Sequence, residues 1–166
     1  QLWLNLPAKD KMITPNYQHL EDEQIPKIFS DDKKVQLNIV AGNQKEETGL
    51  IKTQTEVNVF TANAEENGQL EIEIPENHQS LIYLLEGEVI VNGSEILSKG
   101  DDQMVTFNQD GNTISFEAKE KSTLLILSGE PIKEKVTQYG PYVMNTQTEI
   151  LEAMRDFQLG KMGYLY

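Results

Sequence analysis

The 166-residue sequence has no cysteine, only two histidines, one tryptophan, and 14 basic residues against 27 acidic ones. Without cysteine there is no disulfide and no thiolate metal ligand, and the redox compartment leaves no trace in the composition. No apolar run approaches the length that spans a bilayer, and no basic stretch followed by an apolar one opens the sequence. A cytoplasmic protein is therefore expected. The net charge of -13 repels phosphate backbones and anionic lipid, so neither nucleic acid nor a membrane is an expected partner. The lysine clusters at Lys33-Lys34 and 119–121 are too small to reverse that. What remains is a chain that is 38% hydrophobic and long enough to bury a core, the mark of one soluble globular domain.

Most of that hydrophobic content alternates with polar residues at period two, the strand signal. The pattern predicts strands at 1–6, 35–42, 56–62, 69–74, 80–87, 88–93, 103–108, 112–118 and 122–129. Glu86-Gly87 closes one strand, and Asn92-Gly93 and Asp110-Gly111 are two-residue hairpin signals. Many short strands joined by glycine turns imply an antiparallel sandwich or barrel of the jelly-roll type. Near the C-terminus the period changes. Thr146 and Glu149 form a capping-box pair, Ile150, Leu151, Met154 and Phe157 share a face, and Gly160 is a stop. A helix over about 147–159 follows. The fold class is mainly β: a jelly-roll barrel with a C-terminal α-helix.

The stretch GQLEIEIPENHQSLIYLLEG, residues 68–87, resembles the first metal-binding motif of the cupin superfamily. In that motif inward-facing imidazoles and one carboxylate on adjacent strands grip a divalent ion. The two glycines match as Gly68 and Gly87. The ligand positions then fall on Ile74, Glu76 and Ser80, and Thr123 stands near the place of the last ligand. No imidazole occupies any of the four, so the resemblance implies the fold with its metal site lost. His78 falls between ligand positions, in the loop PENHQS, and is expected to be exposed. His19, beside Glu21, Asp22 and Glu23 and before a proline, reads as part of a solvated turn. There is no G-x-S-x-G elbow, phosphate-binding glycine loop or H-E-x-x-H. Asp101-Asp102 reads as a turn into a strand rather than a carboxylate pair.

The ends narrow the resemblance. QLWLNLPAKDKMITPNYQHL (1–20) and SGEPIKEKVTQYGPYVMNTQTEI (128–150), with Gly129-Glu130-Pro131, Gly140-Pro141 and 143–146, are similar to segments of pirin-like proteins. Tyr139 departs from that pattern, since relatives often carry a histidine there. Pirin-like proteins are bicupins with iron in the first cupin and no ligands in the second. The chain resembles the second cupin, and the resemblance implies a single cupin domain over 1–166. Within it, 1–26 would be an N-terminal strand and linker, 27–130 the barrel, and 131–166 the C-terminal segment with the helix. Beginning within a strand, the chain reads as a fragment, a separate domain or the product of a split gene.

Two functions from different classes follow from the resemblance. One is the accessory, metal-free half of a quercetin 2,3-dioxygenase-type oxygenase, with iron only in the other half. The alternative is a protein-interaction module, like a transcription co-regulator, without enzymatic activity. The expected partner is the N-terminal cupin half or a second copy. Trp3, Tyr142, Met144 and Tyr164 are the candidate contact surface, because large apolar groups there have no obvious cover.

Overall fold

A computed structural model describes residues 2–162. The chain forms two compact units: Tyr17–Pro131, and Gln1–Asn16 together with Ile132–Tyr166. Each is described by itself.

The Tyr17–Pro131 unit is built from twelve strands. They are β1 (Lys27–Phe29), β2 (Val35–Ala41), β3 (Asn43–Gln44), β4 (Glu47–Thr48), β5 (Val57–Ala64), β6 (Gln69–Glu73), β7 (Gln79–Glu86), β8 (Glu88–Val91), β9 (Glu95–Ser98), β10 (Met104–Thr106), β11 (Thr113–Ala118) and β12 (Ser122–Gly129). One sheet has the order β1-β2-β5-β12-β7-β10 and a second β6-β11-β8-β9, while β3 and β4 form a small ribbon. Every pairing in the two main sheets is antiparallel. Period-two alternation decides which residues meet between the sheets. From the larger sheet come Val35, Leu37, Ile39, Phe60, Ala62, Ile82, Leu84, Leu124 and Ile126, all buried. Ile72, Val89, Val91, Leu97, Ile114 and Phe116 meet them from the smaller one, forming one core cluster. The expected mainly β, two-sheet architecture is what is found.

Glycine makes the change of sheet possible at Gly87. There φ is +91°, and β7 of one sheet leads directly into β8 of the other. A Cβ at that position would stand 2.5 Å from the Lys121 carbonyl oxygen. The β8–β9 hairpin turns at Asn92 and Gly93, with φ of +47° and +72°, as its sequence predicts. Asp110-Gly111 behaves differently. It joins β10, which pairs with β7, to β11, which pairs with β6 and β8, so no hairpin forms there.

In the terminal unit the strand expected at 1–6 is not found among the described residues of that stretch. Residues 2–6 have no strand assignment, and the first ordered turn is a 3-10 turn at Ala8–Asp10. Alternation alone does not make a strand; a neighbour must supply ladder hydrogen bonds. A two-stranded ribbon, β13 (Thr137–Tyr139) and β14 (Tyr142–Met144), turns at Gly140 and precedes helix α1 (Gln147–Gln158). Thr146 accepts from the Glu149 N–H at 3.3 Å, and Glu149 Oε2 accepts from the Thr146 and Asn145 N–H groups at 2.7 and 3.0 Å. Both halves of the predicted capping box are therefore made. Ile150 and Ala153 are buried, but Leu151 and Phe157 are 59% and 63% exposed. The apolar face is thus narrower than the sequence predicts, because Leu151 lies one residue, about 100°, round from Ile150. Glu134 Oε2 accepts from the Ala8 N–H at 2.7 Å and from Asn145 Nδ2 at 3.0 Å, tying the two ends of the chain within this unit.

Candidate functional site

Residues on three adjacent strands meet because of register. On β5, Asn58 has the same parity as Phe60 and Ala62; on β12, Ser128 has the parity of Ile126 and Leu124. Pairing sets Asn58 opposite Ser128 and Ser128 opposite Ser80 of β7. The next row inward is Phe60, Ile126 and Ile82, entirely apolar. The interior face of the larger sheet thus changes abruptly from hydrocarbon to amide and hydroxyl at one end of the barrel. Asn58 and Ser128 are both buried.

His78 completes this polar row, and here the sequence-based expectation is overturned. The turn Pro75–His78, closed by the His78 N–H to the Pro75 carbonyl at 2.9 Å, carries the ring inward rather than into solvent. His78 is only 5% exposed. Its Nδ1 lies 3.1 Å from Ser128 Oγ, and Ser128 Oγ accepts from Asn58 Nδ2 at 2.9 Å. Asn58 Oδ1 in turn accepts the Asn43 N–H at 3.2 Å. Burial pushes the His78 imidazole below its ordinary pKa, against a smaller opposite pull from Glu56 and Glu130. The ring is neutral at pH 7. Its Nε2 is buried and has no hydrogen-bond partner.

Above the row opens a cleft of about 450 Å³ between the sheets, with Ile74, Val91, Val105, Phe107 and Ile114 among its apolar walls. The four degenerate ligand positions are scattered relative to it. Ile74 and Ser80 line the cleft, whereas Glu76 is exposed on the turn. Thr123 pairs with Glu86 and bonds Asn63, at the far end of β12 from Ser128. Five residues of strand, roughly 16 Å, separate it from the row. The β12 residue that faces Ser80 is Ser128.

A divalent transition metal at this place would need several imidazole or carboxylate donors. The row offers one imidazole, whose Nδ1 is already engaged, together with neutral hydroxyls and an amide. Among the described residues no three histidine or acidic side chains converge. The groups present do not fit such an ion. His19 lies on the surface, its Nε2 2.8 Å from Glu21 Oε1 and its ring stacked with Tyr17. Trp3 is 68% exposed, and Tyr142 is half-buried with its ring edge-on to Phe157 at 6.5 Å. Met144 is half-buried as well, and Tyr164 lies outside the described residues. No helix among the described residues is long and apolar enough to cross a membrane.

The family model described as the pirin C-terminal cupin domain matches residues 59–163. The pirin-like protein of Solanum lycopersicum is 33% identical over 99% of the chain and 56% of its own length. Pirin of Rattus norvegicus is 32% identical, again over 99% of the chain and 56% of its own length. A crystal structure of a quercetin 2,3-dioxygenase from Acinetobacter baumannii superposes with a TM-score of 0.90 at 34% identity, over 99% of this chain and 56% of that one. The chain spans a little over half the length of these relatives.

Proposed function

The chain belongs to the pirin family, as its C-terminal cupin domain, and on that footing we propose that it is the metal-free, accessory half of a quercetin 2,3-dioxygenase-type protein. The observation that carries this reading is the polar row at the barrel end. A single neutral imidazole, two hydroxyls and an amide stand there, with no carboxylate among them. Such a set holds no ion firmly and gives oxygen nothing to bind. The reactive iron of a full-length relative would lie in its other cupin half, and this half would act by fold and contact.

Two measurements test the reading on the untagged chain. Elemental analysis after dialysis is expected to find far less than one equivalent of iron, nickel, copper or zinc. Oxygen uptake with quercetin and added Fe(II) is expected to match the protein-free rate. One tightly held equivalent, or turnover that vanishes on His78→Phe, overturns it.

A protein-interaction role is the second reading, favoured by the exposure of Trp3, Leu151 and Phe157 on the terminal unit. The surface around Trp3, Tyr142 and Met144 would then take the other cupin half or a second copy of this chain. Isolated, the chain should associate at high concentration, as light scattering would report, and Trp3→Ala or Tyr142→Ala should reduce the association. A strict monomer unaffected by either substitution excludes this surface.

A further inference from the structure

Strand β6 leaves the smaller sheet with an open edge. Of the four strands that end the two main sheets it is the longest, with five residues. Its even-numbered neighbours turn their peptide groups toward β11: the Ile74 N–H donates to the Asn112 carbonyl at 2.8 Å, and the Gly68 carbonyl accepts from the Ala118 N–H at 2.9 Å. Peptide groups alternate in direction along a strand, so those of Gln69, Glu71 and Glu73 point away from the sheet. Glu73 is satisfied. The amide of Gln44, itself only 3% exposed, accepts from the Glu73 N–H at 3.0 Å and donates to the Glu73 carbonyl at 3.1 Å. It stands where the peptide group of a neighbouring strand would stand, and so marks the lane such a strand would follow. The outward peptide groups of Gln69 and Glu71 have no partner among the described residues.

The lane opens on a cleft of about 370 Å³, lined by Asp31, Asp32 and Lys45 together with Gln69, Glu71 and Glu73. Four carboxylates stand there against one ammonium, on a chain of net charge -13. An acidic strand, or the β6 edge of a second copy, would meet like charges across the ladder, which destabilise a strand pair. A basic strand meets opposite ones. We propose that the β6 edge takes up an extended, basic segment of a partner protein as a further antiparallel strand, its main chain paired with Gln69 and Glu71. The N–H and C=O of those two residues form the ladder and supply the affinity. Every second side chain of the segment, arginine or lysine, lies on the exposed face that carries Gln69, Glu71 and Glu73. The inference concerns the Tyr17–Pro131 unit alone and rests neither on the accessory role nor on the surface around Trp3.

The probe is the capped peptide Ac-Arg-Thr-Arg-Thr-Arg-NH2, whose arginines share one face of a strand. One control replaces every arginine by glutamate. The other is the arginine peptide N-methylated at each arginine, which keeps its charge and loses the donors that face β6. Titration into the 15N-labelled chain at low salt should move the Gln69 and Glu71 amides saturably, with a dissociation constant on the order of 0.1–1 mM. Exchange of those two amides with solvent should slow, while the Glu73 amide, already held by Gln44, should change little. Both controls should bind at least about tenfold more weakly. Glu71→Lys should weaken the arginine peptide by a similar factor and strengthen the glutamate one, a gain that an unfolded variant would not show. The proposal fails if no saturable shift appears at about 5 mM peptide, or if the shifts fall outside β6 and its cleft. It fails as well if the N-methylated peptide binds like its parent, which leaves charge attraction only, or if the glutamate peptide binds equally. Gln69 and Glu71 amides that move with protein concentration alone would assign the edge to a second copy and overturn it.

Discussion

Ser128→Ala removes one oxygen atom and should cost far more than its size suggests. Ser128 Oγ links two side chains that are otherwise shielded from water: it accepts from Asn58 Nδ2 at 2.9 Å and lies 3.1 Å from His78 Nδ1. Asn58, His78 and Ser128 are each at most 6% exposed. Deleting the hydroxyl strands a donor on Asn58 and the Nδ1 of His78, and each buried orphan costs about 1–3 kcal/mol. The cavity left by one oxygen adds little. A loss of roughly 2–4 kcal/mol is expected, which for a chain of this size lowers the melting temperature by about 4–16 °C. Urea unfolding followed by tryptophan-independent far-UV circular dichroism measures it. The matched control is Ser80→Ala, at the half-buried edge of the same row, expected within about 0.5 kcal/mol of the parent. The sharper measurement is the double-mutant cycle with His78→Phe. With the imidazole gone there is no ring nitrogen left to strand, so the double variant should cost less than the sum of the singles by about 1 kcal/mol or more. A Ser128→Ala loss below about 0.5 kcal/mol, or strict additivity in the cycle, refutes the network.

Stability should also respond to pH through His78. Its folded pKa lies below the ordinary 6.5, so as pH falls under 6.5 the unfolded chain takes up a proton that the folded one refuses. Stability is therefore lost from pH 6.5 down to the folded value, with no His78 contribution above 6.5, and His78→Phe should flatten that stretch of the curve. Asp32 and Glu149 act in a lower window. Their pKa values are held below 3.8 and 4.5, chiefly by hydrogen bonds from Ser30 and Thr146, so their stabilisation is present above those values and is lost only as pH falls beneath them. A wild-type curve that is flat from pH 7 to 5 would contradict the buried, neutral ring. Gly42→Ala is expected to destabilise the barrel by at least about 2 kcal/mol, because φ is +87° and the new Cβ would stand 2.6 Å from the Val57 carbonyl oxygen and against the Asn58 amide. Thermal unfolding measures that loss, and a shift under 2 °C would be inconsistent with the backbone described.

Much of the architecture is visible in the chain because its causes are local. Alternation over VQLNIVAG or STLLILSG reports a half-buried strand wherever a partner exists, and β2 and β12 are found there. Asn92-Gly93 specifies a left-handed turn by its own backbone preferences, and Thr146 with Glu149 caps a helix over a span of four residues. The short strands β1, β9, β13 and β14 leave too few residues for a period to register. Residues 2–6 show the converse failure, a strand pattern with no strand, since pairing is not a local property.

The site lay beyond local reading for a related reason. The parity of Asn58 with Phe60, and of Ser128 with Ile126, already places polar groups on core faces, a signal present in the sequence. That the two are neighbours depends on the β5–β12 register across 70 residues of chain. The same register puts Ser128, and not Thr123, opposite Ser80. One turn at Pro75–His78 decides whether the imidazole meets water or Ser128. Composition, alternation and capping thus determine by themselves an acidic, cysteine-free, two-sheet β protein with a terminal helix, because each acts over a few residues. Which polar side chains converge, and that His78 turns inward with one nitrogen unclaimed, only the tertiary structure decides, because strand register and the direction of a turn are set by the packing of the whole barrel.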